Sequence, residues 1–187
     1  MKIALITDQH LDGRKGNLAF WNYFQKFYDD IFFPTLEKEG VGTIIDLGDT
    51  FDNRKSMDFN TFNRITENYF KRLKDYKVHM ILGNHCTYYK NTNKINSPEL
   101  LLEQYKNINI YASPEEITLG SKKFLMMPWI NQENKAECLK LIADSGADIM
   151  CGHLECDGFE VTPGMKFDGG FKVSEFKNFK RVWSGHF

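Results

Sequence analysis

Short apolar runs alternate along this chain with longer stretches in which apolar residues recur at helical spacing. Ile3 to Thr7 is apolar and partly β-branched, which predicts a buried strand. From Asn17 to Lys38, Phe20, Trp21, Phe24, Phe27, Tyr28, Ile31 and Phe32 repeat with helical period, and Pro34 is expected to end or kink that helix. Gly42 to Leu47 predicts a second strand, Asp58 to Tyr76 an amphipathic helix and Val78 to Leu82 a third strand. Asn84 to Asn96 is polar and aperiodic and reads as a long loop. Ser97-Pro98-Glu99 then opens a helix reaching Lys106, with Ser97 as N-cap and proline at its first position. Three short strands (Ile108 to Ala112, Glu116 to Leu119, Lys123 to Met127), a helix over Asn131 to Ser145 and a strand over Asp148 to Cys151 follow. An irregular glycine-rich tract around Phe167-Asp168-Gly169-Gly170 precedes a last strand from Arg181 to Ser184. Strands alternating with helices predict a layered α/β fold. In such folds, functional groups gather where strands end at their carboxyl edge.

Composition adds bounds to that picture. A chain of 187 residues, 42% hydrophobic and 26% charged, can bury a core as one domain. No apolar run approaches the ~20 residues that span a bilayer. The N-terminal apolar run stops at Asp8, too soon for a signal-peptide core, so the cytoplasm is the expected compartment. Basic and acidic residues nearly cancel, 24 against 25, so overall charge does not single out a nucleic-acid partner. Cys86, Cys138, Cys151 and Cys156 lack paired CxxC spacing and are expected to be reduced thiols.

The strand ends carry the chemistry. Asp8-Gln9-His10 follows the first predicted strand, Gly48-Asp49-Thr50-Phe51-Asp52 the second and Gly83-Asn84-His85 the third. Gly152-His153 and Gly185-His186 close two later strands. Four of the five histidines occupy these places; His79 lies inside a strand and reads as an ordinary packed residue. Singly, each motif is common by chance, and a Gly-His pair usually marks a turn. Their joint placement at one sheet edge is the signal. Asp8 and Asp49 gathered there without a cation would repel each other and suffer desolvation, and divalent cations remove both problems.

The order DxH, GDxxD, GNH, GH, GH resembles the calcineurin-like metallophosphoesterases. GDTFDNRK and the long loop after GNH are similar to the SbcD-type DNA repair nucleases, including those of T-even-type phages. The resemblance covers nearly the whole chain and implies a layered α-β-β-α sandwich. It implies that Asp8 and His10 bind one divalent cation, that Asn84, His153 and His186 bind a second, and that Asp49 bridges the two. It further implies that His85 acts on the reacting phosphodiester. Asp52, Arg54 and Cys86 are candidates to support the ligands from behind or to touch DNA. The ligand types suit Mn²⁺. DNA, an SbcC-type SMC-like ATPase subunit and a second copy of the chain are the implied partners.

Two positions depart from the family pattern. Cys86 stands where the family usually has an acidic residue, which would orient His85 and favour its protonated form; a thiol does this weakly, so reduced turnover is expected. The last motif, GHxH in the family, here reads Gly185-His186-Phe187, without the final histidine. This suggests a domain incomplete at its C-terminus, without the capping domain and the ATPase-binding tail. Arg54-Lys55, Lys71-Arg72, Lys90 with Lys94, and Lys177, Lys180 and Arg181 are candidate phosphate contacts, and Tyr88 and Tyr89 candidate stacking platforms. A phosphatase or small-molecule phosphodiesterase of the same superfamily, and a catalytically silent DNA- or ATPase-binding module, are the alternative readings. Phosphate-binding GxGxxG and GxxxxGK[ST] loops are absent from the sequence.

Overall fold

The computed structural model describes residues 1–186 as four layers. Strands β1 (Ile3–Ile6), β2 (Thr43–Asp46), β3 (Lys77–Ile81) and β4 (Ile108–Tyr111) form one sheet in that order, parallel throughout. A second sheet has the order β10 (Arg181–Gly185), β7 (Ile149–His153), β6 (Lys122–Met126), β5 (Glu115–Leu119). Only its β5–β6 pair is antiparallel.

The layering follows from alternation within the strands. Ile44, Val78 and Met80 turn toward a helical layer, where they pack with Trp21, Tyr28, Phe33, Ile65 and Phe70. Ile45, Leu47 and Ile81 face the other way and meet Phe124, Met126 and Cys151 of the second sheet. From that sheet Leu125 and Met150 pack outward on Cys138 and Ile142 of the helix Lys135–Asp144. Strands buried on both faces are why β2 and β3 read as continuous apolar runs rather than alternating ones.

Several boundaries differ from the expectation. The long N-terminal helix is two helices, Leu18–Phe27 and Phe33–Glu39, joined by a π-helical turn over Tyr28–Phe32. Pro34 neither ends nor sharply breaks it. Proline cannot donate back to the preceding turn, and Phe33 N bonds Tyr28 O five residues back, with Pro34 in the first turn of the second helix. The predicted helix over 58–76 breaks at Tyr69 (φ −124°) into Phe59–Asn68 and a 3₁₀ segment Phe70–Asp75, which lets adjacent Tyr69 and Phe70 both reach the core. The helix Ser97–Leu102 is capped by Asn96, whose Oδ1 accepts from Glu99 N at 2.9 Å, so Ser97 is not its cap. Within the tract read as irregular, β8 (Glu160–Thr162) and β9 (Met165–Lys166) pair as a small exposed hairpin. Phe187 lies outside the described residues. No described helix is long and apolar enough to cross a membrane.

Candidate metal centre

Both sheets deliver residues to one edge. Asp8 and His10 follow β1, Asp49 follows β2, Asn84 and His85 follow β3, His153 is the last residue of β7, and His186 follows β10. Among the described residues, three groups of possible ligands lie with their donor atoms within 4.8 Å of one another: Asp8, His10 and Asp49; Asp49, His153 and His186; and His10, Asp52 and His85. Asp49 belongs to the first two. The sequence-predicted residues are therefore together, and Asp49 stands between the β1 pair and the histidines of the second sheet.

Tight backbone turns make this convergence possible. Asp8 (φ 51°), His10 (φ 44°), Asp49 (φ 53°) and His186 (φ 94°) all take left-handed conformations that side chains other than glycine rarely adopt. The β1 and β2 loops interlock through backbone bonds from Asp8 N to Gly48 O (3.0 Å), His10 N to Asp49 O (2.9 Å) and Leu11 N to Thr50 O (2.9 Å). Glycines leave the room. A Cβ on Gly185 would come to 2.8 Å from Asp8 Oδ2 and 2.9 Å from His153 Nδ1, and one on Gly83 to 2.7 Å from Asp49 Cγ.

The hydrogen bonds define what each side chain has left to offer. His153, fully buried, has Nδ1 2.8 Å from Leu47 O; a carbonyl only accepts, so Nδ1 carries a proton. Its Nε2 then faces Asn84 Oδ1 at 3.1 Å and Asp49 Oδ2 at 3.2 Å. In neutral histidine that nitrogen is an acceptor facing two oxygens, an arrangement that calls for a positive charge. Burial pushes the His153 pKa down, but the Asp49 carboxylate outweighs it and the net shift is upward. Burial likewise pushes Asp49 up, and the hydrogen bond and charge of His153 bring it below the usual carboxylate range. His186 is lowered, chiefly by burial.

Asp49 Oδ1 accepts from His85 N at 2.8 Å, and Asp8 Oδ2 accepts from Thr7 Oγ1 (2.6 Å) and His186 N (3.0 Å). His10 Nδ1 is buried and makes no hydrogen bond, although Asp52 Oδ1 lies 3.2 Å away. Trp129 packs on the rings of His186 and His153 at 5.4 and 6.2 Å between centroids. The donor set of carboxylates, an amide oxygen and imidazoles, with acceptors facing one another, fits divalent cations and does not call for thiolates.

The flanking candidates have varied placements. His85 Nδ1 lies 2.9 Å from Asp52 O and 3.4 Å from Asp52 Oδ1. Cys86 is fully buried, its thiol pushed up to about 12 mainly by burial, so it cannot touch DNA; the hydrogen bond that orients His85 goes to Asp52 instead. Arg54 donates to Thr87 O (3.2 Å) and Thr87 Oγ1 (3.3 Å), and Lys55 lies over the Tyr88 ring at 5.6 Å. Lys71 pairs with Glu67, Arg72 with Asp29, Lys94 with Glu133 and Lys180 with Asp148, so these candidate phosphate contacts already hold carboxylates. Sequence reasoning missed Asp12, 1% exposed, whose carboxylate accepts from Asp52 N (2.6 Å) and Asn53 N (3.1 Å) and pins the β2 loop. It also missed Asp46, although a lone carboxylate inside the apolar run Thr43-Ile44-Ile45-Asp46-Leu47 was a visible irregularity.

The calcineurin-like phosphoesterase family profile matches residues 1–186. The chain belongs to that family. This phosphoesterase is 36% identical over 192 residues to exonuclease subunit 1 of Enterobacteria phage T4, an alignment that takes in 100% of this chain and 55% of that relative. The chain thus spans about half the length of the curated relative it matches. Similar solved structures include the Pseudomonas putida nuclease MPE, at TM-score 0.44 and 21% identity over 66% of this chain and 52% of that one. An archaeal phosphodiesterase matches at TM-score 0.46 and 14% identity over 89% of this chain and 81% of the other.

Proposed function

We propose that this phosphoesterase is a DNA nuclease that hydrolyses phosphodiester bonds with two divalent cations, Mn²⁺ by preference. Asp8 and His10 would hold one, Asn84, His153 and His186 the other, and Asp49 would be shared between them. One observation carries the reading: His153 Nε2 faces Asp49 Oδ2 and Asn84 Oδ1 at 3.2 and 3.1 Å while its other nitrogen donates to Leu47 O. Bound cations supply polarisation of the phosphoryl group and an acidified water for in-line attack.

The chain's own residues orient and exchange protons around that chemistry. Leu47 O fixes the His153 tautomer that presents Nε2, as carbonyl partners of ligand histidines commonly do. His85 N holds Asp49 Oδ1, which leaves Oδ2 facing His153 Nε2. His85 Nδ1 is held by Asp52 O, which leaves Nε2 as the nitrogen that meets the leaving oxygen of the substrate. The phage exonuclease relative supports DNA as substrate, and its designation as a subunit supports a partner, which we assign to an SbcC-type ATPase.

The test is Mn²⁺-dependent degradation of end-labelled duplex DNA, with Asp49→Ala as control. Cleavage by the parent and none by the variant is the expected result. Hydrolysis of p-nitrophenyl phosphate without DNA cleavage would replace the nuclease by a phosphatase, and hydrolysis of neither would favour a silent binding module.

A further inference from the structure

A buried polar chain runs beneath the centre without touching the reacting groups. Asp46, 1% exposed at the end of β2, accepts three hydrogen bonds: Oδ1 from Gly48 N (3.0 Å), and Oδ2 from Thr50 Oγ1 (2.8 Å) and Gln9 Nε2 (2.8 Å). Gln9, 3% exposed, passes the chain on, its Oε1 accepting from Tyr28 Oη at 2.9 Å. Tyr28 opens the π-helical turn of the helical layer. Gln9 lies between Asp8 and His10, and Thr50 directly follows Asp49. One carboxylate therefore grips a residue beside each of the two ligand-bearing loops.

We infer that Asp46 is a positioning residue that sets the spacing between the Asp8–His10 pair and Asp49, with Gln9 and Thr50 as its two arms. The inference rests on the metal-centre reading above. A carboxylate suits the task because its two oxygens can accept from all three partners. Three donors fix both of its oxygens, and through Gln9 the helical layer is joined to the same post. Groups that orient ligands in this way typically change metal affinity by ~10–100-fold when removed.

The chemistry separates two substitutions. Asp46→Asn keeps the shape and can keep the chain: its Oδ1 accepts from Gly48 N, its Nδ2 donates to Gln9 Oε1 after that amide turns over, and Tyr28 Oη accepts from Gln9 Nε2. Asp46→Val removes every bond and leaves Gln9, Thr50 and Gly48 N without their partner. Mn²⁺ binding is then titrated calorimetrically with the metal alone. The parent is expected to bind two ions, Asp46→Asn to stay within about threefold, and Asp46→Val to bind the Asp8–His10 site ~10–100-fold more weakly.

Thr50→Val, which removes one arm and keeps the volume, gives a smaller loss in the same direction should Asp46→Val fail to fold. Ile142→Ala, a cavity on the helix Lys135–Asp144 in the outer core, lowers the melting temperature and leaves Mn²⁺ affinity unchanged, which a purely structural role for Asp46 would also do. Parent-like Mn²⁺ affinity in Asp46→Val, or in Thr50→Val where the former does not fold, overturns the inference. A parent that binds no Mn²⁺ overturns the metal-centre reading instead.

Discussion

Gly83→Ala isolates the geometry of the centre from its chemistry. Gly83 contributes no functional atom, and its backbone is not in the left-handed region, so alanine brings no intrinsic strain there. What alanine adds is one methyl group, whose carbon would lie 2.7 Å from Asp49 Cγ and closer still to Asp49 Oδ1 and its backbone N. Ordinary contact begins at 3.4 Å and the Asp49 backbone N would lie at 2.4 Å, so the Asp49 loop or the β3 turn must move by about 1 Å. The backbone nitrogen cannot swing aside, and Asp49 is held by His85 N, His10 N and the buried His153. A displacement of about 1 Å at a reacting centre costs roughly 10²-fold in rate, and overpacking about 1–3 kcal/mol in stability. Gly83→Ala should therefore fold, melt a few degrees lower and cleave DNA with kcat down about 10–100-fold.

The matched control is Gly146→Ala, where an added Cβ meets nothing within 4 Å. Steady-state cleavage of duplex DNA in Mn²⁺, with thermal melting on the same samples, reads both quantities. A Gly83→Ala enzyme within threefold of the parent would refute the claim that Asp49 is locked in place by contact with the β3 turn.

His85→Gln should lower kcat by about 10²–10⁴-fold while Mn²⁺ binding, titrated separately, stays as in the parent; lost metal binding would move His85 among the ligands. Cys86→Asp should give no gain in kcat, because Asp52 already holds His85 Nδ1, and should cost on the order of 3 kcal/mol by burying an unpaired carboxylate beside Asp49; faster cleavage would restore the role expected of an acidic neighbour. His79 is 3% exposed, and burial pushes its pKa down to about 4. The unfolded chain then binds the extra proton between about pH 6.5 and 4, so stability falls as pH falls through that window, by roughly 2–3 kcal/mol. Urea midpoints of the parent and His79→Gln between pH 7.5 and 4.5 measure it, and parallel curves would remove His79 as the cause.

The convergence of the candidate ligands was legible because their signal is local. Each sits within four residues of a strand end, beside a glycine or inside a three-residue motif, and strands are the elements that apolar runs reveal most directly. Strand ends shifted by one or two residues, as for His153, which lies on β7 rather than after it. What escaped were contacts with no sequence period. Asp12 meets Asn53 across 41 positions and Asp46 meets Gln9 across 37, and no window of the sequence holds both members. Surface charge gave a weaker signal for the opposite reason. Lys71, Arg72, Lys94 and Lys180 form basic clusters when read along the chain, and the fold brings each a carboxylate, at i−4 for Lys71 and across long separations for the others. The π-helical turn was hidden as well, since helical spacing is continuous through Tyr28–Phe32 and only Pro34 hinted at the interruption.

Backbone strain at the ligands gives a last test, one independent of catalysis. Asp8, His10, Asp49 and His186 adopt positive φ because the strand must turn back within a residue or two to place its side chain over the sheet edge. A left-handed L-residue costs roughly 1–2 kcal/mol, and glycine is exempt. At Asp49 (φ 53°) the interlocked loop bonds hold the residue in that conformation whatever its side chain. Asp49→Gly and Asp49→Ala lose the same carboxylate and the same bond from His85 N. They differ in the backbone. Elsewhere in ordered structure glycine is the less stable of the two by about 0.5–1 kcal/mol, but here Asp49→Gly should be the more stable by about 1 kcal/mol in urea with chelator present. If Asp49→Ala proves as stable or more so, the left-handed turn is not imposed by the surrounding loops, and the carboxylate itself must be what holds it.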